Sequence, residues 1–250
     1  MPNAADSPSH ANRAFWDADA ARYHADHRAY LDGFYWCPEM LSEGDARLLG
    51  DVSANAVLEI GCGSAPCSSW LAAHAVDSGA GFVAAFDISA GMLSRARRNV
   101  ALVQADVLAL PYRDGAFDVA FSAFGALPFV RDIDAALSEI HRVLVTGGRF
   151  VFSATHPMRW IFPDDPESLT AEISYFTREY EERDEHGNLV YAEYHRTFGD
   201  WVRALRESSF SLLDVLEPTW PDDLDTTWGQ WSAERGRIFP GTAIFICEKL

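Results

Sequence analysis

Three acidic residues follow or close apolar runs in the first half of this chain. Glu59 lies within Val57-Leu58-Glu59-Ile60-Gly61-Cys62-Gly63-Ser64-Ala65, Asp87 ends Phe82-Val83-Ala84-Ala85-Phe86-Asp87, and Asp106 follows the run from Val100 to Val103. Val57, Leu58 and Ile60 suit a strand covered on both faces. Gly61 and Gly63 permit backbone conformations closed to other residues and let a ligand approach the main chain. Ser64 is a candidate N-cap, and Pro66 fits the first turn of a following helix. The free N–H groups of such a turn favour an anionic ligand group. Glu59, two residues before Gly61, repels a pyrophosphate there and attracts a cation instead. The G-x-G-x-x-G spacing of dinucleotide sites also fails, because Pro66 stands at the third glycine position. A carboxylate at Asp87 can accept two hydrogen bonds from a ribose diol, as in related nucleotide folds. Asp106 can accept from an adenine amino group.

Together these residues resemble the class I S-adenosylmethionine-dependent methyltransferases, most closely their type 11, small-molecule branch. Motifs carry the resemblance over about residues 13–156, and element order carries it over the rest. Ala65 stands where many members have a third glycine. The resemblance implies S-adenosyl-L-methionine as cofactor. It implies binding by Glu59, Gly61, Cys62, Gly63, Asp87, Ile88, Met92, Asp106, Val107, Ser122 and Ala123. It also likens Trp16, Asp17 and Tyr23 to an N-terminal lid helix.

Methyl transfer from a sulfonium is an in-line displacement, so the protein mainly aligns the nucleophile and excludes water. It needs no metal, and a base only where the acceptor arrives protonated. His156, directly after the fifth strand, and His195 are the candidate bases, with a structural role as the alternative for each. Trp16, Tyr23, Arg159, Trp160 and Trp228 are candidates for the substrate pocket. Aromatics with acidic neighbours suit an amine or other cationic acceptor.

Five strand–helix repeats, ending at Ala154, position these residues. They predict a doubly wound α/β fold with a mostly parallel, seven-stranded sheet, its ligand at the carboxyl ends of the strands. A helix is expected from Arg13, a second over Pro38–Leu49, and an amphipathic one over Asp132–Leu144. After the fifth strand, runs at Ile173–Arg183 and Leu189–Arg196 flank Asp184-Glu185-His186-Gly187-Asn188 and predict an inserted hairpin. Phe210–Leu216 and Thr242–Cys247 then read as strands six and seven, the seventh antiparallel. Residues 1–12 are expected to be disordered, and 13–250 to form one domain with an insertion at about 157–196 and an aromatic loop at about 218–240. Insertion and loop are expected to roof the substrate pocket.

The chain has 250 residues and a formal net charge of −17, which argues against nonspecific binding to nucleic acid or an anionic membrane. No secretory signal or membrane-spanning run is apparent, so a cytoplasmic protein acting on a small molecule is expected. Cys37, Cys62, Cys67 and Cys247 show no metal-ligand spacing and read as reduced thiols. A homodimer is compatible with the chain. Two other functions share these residues: a non-catalytic sensing module of the same fold, and methylation of RNA or protein. A nicotinamide-dependent oxidoreductase is opposed by Glu59 and Pro66.

Overall fold

The computed structural model describes residues 7–78, 81–97 and 99–250. The helices are α1 (Pro8–Asp26), α2 (Glu43–Ala46), α3 (Pro66–Ser78), α4 (Ala90–Leu93), α5 (Ile133–Val143), α6 (Phe198–Glu207) and α7 (Ala233–Gly236). Strands β1 (Ala56–Ile60), β2 (Phe82–Asp87), β3 (Ala101–Gln104), β4 (Phe117–Ser122) and β5 (Leu144–Thr155) are interleaved with α3, α4 and α5, except that β4 follows β3 with no helix between, so the expected run of strand–helix repeats is broken there. A separate hairpin, β6 (Glu179–Arg183) and β7 (Leu189–Tyr194), follows, and then β8 (Phe210–Leu216) and β9 (Thr242–Lys249). The main sheet has seven strands in the order β3-β2-β1-β4-β5-β9-β8. Neighbours from β3 to β5 pair in parallel, and β9 runs antiparallel to both β5 and β8. Strand order reverses between β1 and β4, which opens a crevice at their carboxyl ends.

The inner strands of the main sheet are largely apolar because both their faces are covered. Leu58, Ile60, Ala120, Phe150, Phe152 and Phe245 point to the side of α5 and α6. Their neighbours Val57, Val119, Phe121, Val151 and Ile244 point the other way, onto Phe34, Trp36, Leu49, Cys67 and Leu71. The stripe of α5, Ile133, Ala136, Leu137 and Ile140, is buried as its spacing requires.

Three further expectations are corrected. The helix starts at Pro8, not Arg13, so residues 8–12 are ordered, while residues 1–6 lie outside the described residues. Pro8 suits the first helical turn, and Asn12 anchors it. The Asn12 amide donates to the carbonyls of Phe129 (3.2 Å) and Ala192 (3.0 Å), and its oxygen accepts the Ala192 N–H (2.9 Å). The helix expected over Pro38–Leu49 shrinks to the single turn of α2. Met40 (φ 59°) and Arg47 (φ 50°) sit in left-handed conformations that a helix cannot include. The first hairpin strand begins at Glu179, not Ile173, because the Glu172 and Ile173 N–H groups both turn back onto the Ile161 carbonyl.

Asn12 ties the first turn of α1 to the hairpin and to the segment after β4, across the crevice. Asn12→Ala leaves buried backbone groups of Ala192 and Phe129 without partners and is expected to cost about 1–3 kcal/mol. Denaturant unfolding monitored by circular dichroism measures the loss.

Candidate active site

The turn from β1 into α3 is held by Glu59. Its buried carboxylate accepts the N–H of Ser68, the third residue of α3, at 2.9 Å. The cap therefore comes from the preceding strand, and Ser64, the expected N-cap, lies two residues before the helix begins. Burial pushes the Glu59 carboxyl up to about 7, and the nearby Asp87 charge adds to the rise. Gly61 has φ +66°, and a Cβ there would lie 2.5 Å from the Ala126 nitrogen. The loop after β4 thus packs directly on the turn after β1. Ala65 takes φ +55°, the conformation a glycine would adopt, at a strain of about 1 kcal/mol.

Asp87 ends β2 beside this turn. One carboxylate oxygen accepts the Gly63 N–H (2.7 Å) and the other the Ser89 N–H (2.8 Å). An ionised carboxylate has about four acceptor positions, so both oxygens retain capacity for a ligand. Burial raises this carboxyl as well. Asp106 accepts the Leu108 N–H through one oxygen at 3.0 Å.

These groups meet in one cleft of about 970 Å³, part of it open to solvent. Glu59, Gly61, Cys62, Gly63, Asp87, Ile88, Met92, Asp106, Val107 and Ala123 all line it, and so do Trp16 and Tyr23 of α1. Ser122 does not. It is fully buried, and its hydroxyl donates to the Ile60 carbonyl at 2.9 Å, tying β4 to β1. Sequence reasoning missed Asn12, Tyr30, Phe124, Gly125, Ala126 and Phe129, which are among the further residues of the lining. Tyr30 stands with Phe34, Tyr35 and Trp36 in an aromatic stretch of the sequence, but the segment after β4 carries no motif. Among the described residues no lysine, arginine or histidine lines the cleft, whereas three carboxylates do.

Helix α1 covers the cleft and is fastened along its length. Asp17 accepts the Ser89 hydroxyl (2.7 Å) and the Gly91 N–H (2.8 Å), joining α1 to α4. Beyond its end, the His27 ring stacks on Trp228 at 3.9 Å, and Trp228 also meets Tyr30 at 4.6 Å. Trp228 therefore stands behind the lining tyrosines rather than in the lining itself.

Neither candidate base lines the cleft. The His156 Nδ1 accepts the Met158 N–H (3.1 Å), so Nε2 carries the proton and donates to Glu217 at 2.8 Å. His195 Nε2 donates to the Tyr175 carbonyl (2.8 Å), and burial pushes its pKa down to about 4. Both rings are engaged in holding the insertion and the loop. Arg159 and Trp160 also lie outside the lining, in the short 3-10 segment after β5, and Trp160 packs on His195 at 5.3 Å. The four cysteines are free and buried. Among the described residues there is no cluster of potential metal ligands and no helix long and apolar enough to cross a membrane.

Comparison with known proteins agrees with this geometry. The family description "Methyltransferase domain" matches residues 58–152. The uncharacterized protein YafE of Escherichia coli is 32% identical over 163 residues, 60% of this chain and 68% of that protein. A demethylmenaquinone methyltransferase of Thermus thermophilus is 46% identical over 72 residues, 26% of this chain and 32% of the enzyme. The chain matches half or less of the length of the first quinone methyltransferases to which it is similar. Among solved structures, an S-adenosylmethionine-dependent methyltransferase from Mesorhizobium loti is 25% identical, with a TM-score of 0.58 over 82% of this chain and 95% of that one. A Listeria monocytogenes structure described as a methyltransferase of the same kind has the same fold, with 23% identity and a TM-score of 0.65 over 82% of this chain and 94% of that one. With the sheet order, the glycine turn and the acidic cleft in place, the chain belongs to the class I S-adenosylmethionine-dependent methyltransferases.

Proposed function

We propose that this chain transfers a methyl group from S-adenosylmethionine to a small-molecule acceptor held beneath α1. The observation that carries this reading is the charge of the cleft: three carboxylates and, among the described residues, no cationic side chain. Such a lining suits a ligand bearing a sulfonium and an ammonium, and it repels a pyrophosphate. S-adenosylmethionine supplies a methyl group already activated on its sulfonium. The chain's own residues then bind, orient and exclude water.

Asp87 is suited to accept from a ribose diol, and Asp106 from an adenine amino group. Glu59 and the turn at Gly61 and Gly63 suit the methionine portion. Gly63 leaves its side open, with only the flexible end of Met92 within 3.3 Å of a would-be Cβ. Trp16, Tyr23 and Phe129 enclose the acceptor side. Burial raises the Tyr23 and Tyr30 hydroxyls far above neutrality, so both act as hydrogen-bond donors there, not as bases. The Tyr30 hydroxyl is buried without a partner among the described residues and is available to a ligand oxygen. Among the described residues no histidine lines the cleft, so the acceptor atom arrives already nucleophilic or gives its proton to water or to a carboxylate. Relatives named for demethylmenaquinone, and a structure with bound 1,6-didemethyltoxoflavin, support a small molecule as acceptor.

Calorimetric titration tests the cofactor. S-adenosylhomocysteine is expected to bind, NADH is not, and Asp87→Ala should weaken binding at least about tenfold, the effect of losing hydrogen bonds to a charged group. A folded protein that ignores S-adenosylhomocysteine overturns the reading.

Glu59 predicts a pH dependence. In the free protein it is largely protonated below about 7, and a cationic ligand favours its ionised form. Affinity for S-adenosylmethionine should therefore rise as pH increases through about 7 and level off above it. Glu59→Gln should remove the rise, which titrations at a series of pH values will show.

A further inference from the structure

The turn between β1 and α3 has little left to offer an anion. The Cys62 N–H donates to the Phe86 carbonyl (2.9 Å), and the Ala65 N–H donates to the Cys62 carbonyl (2.7 Å). The Gly63 and Ser68 N–H groups are taken by the protein's own acids, Asp87 and Glu59. Pro66 has no N–H at all. Among the described residues no lysine, arginine or histidine lines the cleft. Yet the cofactor proposed above carries one anionic group, the carboxylate of its methionine portion. A carboxylate brought into this acidic cleft without a donor is costly. The donor it needs is neither a cation nor one of these spent N–H groups.

Tyr30 has such a donor. Its side chain lines the cleft and is 7% exposed. Its hydroxyl is shielded from solvent and has no hydrogen-bond partner among the described residues. Among those residues, it is the one buried, unpartnered side-chain group that belongs to the cleft lining. Burial keeps the phenol protonated well above neutral pH. The ring is held from two sides, by Trp228 edge-on at 4.6 Å and by Tyr35 at 6.3 Å. Its place along the cleft follows from the chain around it. Tyr30 opens a short 3-10 turn, Tyr30–Asp32, that packs on α3. Phe34, just after it, meets Trp70 of α3 at 6.1 Å and Phe121 of β4 at 5.0 Å. Tyr30 therefore lies at the end of the cleft built by β1 and α3, where Glu59 and Cys67 also line it. Asp106, which follows β3, belongs to the other end, two strands away in the sheet.

We propose that the Tyr30 hydroxyl donates to the carboxylate of the methionine portion, so that the cleft fixes its cofactor's one anionic group with a neutral phenol in place of a cation. The proposal rests on the methyltransferase reading above and assigns a residue to the ligand group which that reading leaves without one. An O–H bonded to a carboxylate is charge-assisted, shorter and stronger than a bond between neutral groups. Exclusion of water strengthens it further. A neutral donor also suits its neighbours. A lysine or arginine beside Glu59 and Asp87 would pair with them and cancel the negative charge that favours a sulfonium. With the ligand in place, the hydroxyl gains its missing partner and the carboxylate its missing donor.

The test is calorimetry on the full chain above pH about 7, where Glu59 is ionised. Two probes are titrated, S-adenosylhomocysteine and its decarboxylated analogue, which differ only in the carboxylate. The quantity read is the ratio of the two affinities. Tyr30→Phe should weaken S-adenosylhomocysteine at least about tenfold and leave the analogue unchanged, so the ratio falls by the same factor. Without ligand, the variant should unfold at no lower denaturant concentration than the natural protein, because the hydroxyl has no partner to lose. A ratio that Tyr30→Phe leaves unchanged overturns the proposal, whether both probes bind as before or both weaken alike. A variant that no longer folds overturns it too, because the hydroxyl would then be structural. Failure of the natural protein to bind S-adenosylhomocysteine would instead overturn the cofactor reading itself.

Discussion

The bond between the Glu59 carboxylate and the Ser68 N–H joins the central strand to the helix that follows it. It is a buried contact between an acid and a helix start, so it satisfies an N-terminal donor and draws on the helix dipole at once. Because β1 is central, with β2 on one side and β4 on the other, this contact also sets where the crevice opens. The turn it holds is shaped further by Gly61, pressed against Ala126, and by Gly125, where a Cβ would meet the Gly61 carbonyl at 2.6 Å. Two loops therefore interlock by backbone alone at the floor of the cleft. The same carboxylate that caps the helix faces the ligand space, so structure and ligand charge are coupled through one side chain.

A second layer of control comes from outside the sheet. The insertion and the aromatic loop reach the cleft through α1 and the segment after β4. Ala192 of β7 holds Asn12, and Trp228 of the loop holds His27. A sheet of the kind that holds ligands at its strand carboxyl ends is thus combined with a helix, α1, fastened by residues far apart in the chain.

How much of this was legible varies with the range of the interactions. The sheet, the glycine turn and the three cleft carboxylates announce themselves locally: Val57 to Pro66 is strand, turn and helix start in ten consecutive residues, and Asp87 directly ends an apolar run. Position at a strand end does not reveal which way a side chain points, and the Ser122 hydroxyl turns inward to the Ile60 carbonyl. The groups that engage the two histidines, Glu217 and Tyr175, are 61 and 20 residues away in the chain, beyond the reach of any local pattern. Buried structural acids were invisible for the same reason. Glu39 holds Gly241 and Thr242, and Glu43 gathers the Trp36 indole with the N–H groups of Leu48 and Leu49. In composition these two acids look the same as Glu59.

The fastening of α1 has a kinetic meaning. Its contacts lie at Asn12, Asp17 and, just past its end, His27, and each joins a different element: the hairpin, α4 and the aromatic loop. Opening at one point leaves the others to restore the helix. A ligand that leaves past α1 must wait until the three release together, a concerted motion of the kind that runs in microseconds to milliseconds. Residence time in the cleft is then set by the joint release of three unrelated parts of the chain, and a change at Asp17 or His27, neither of which lines the cleft, shortens it without touching the ligand.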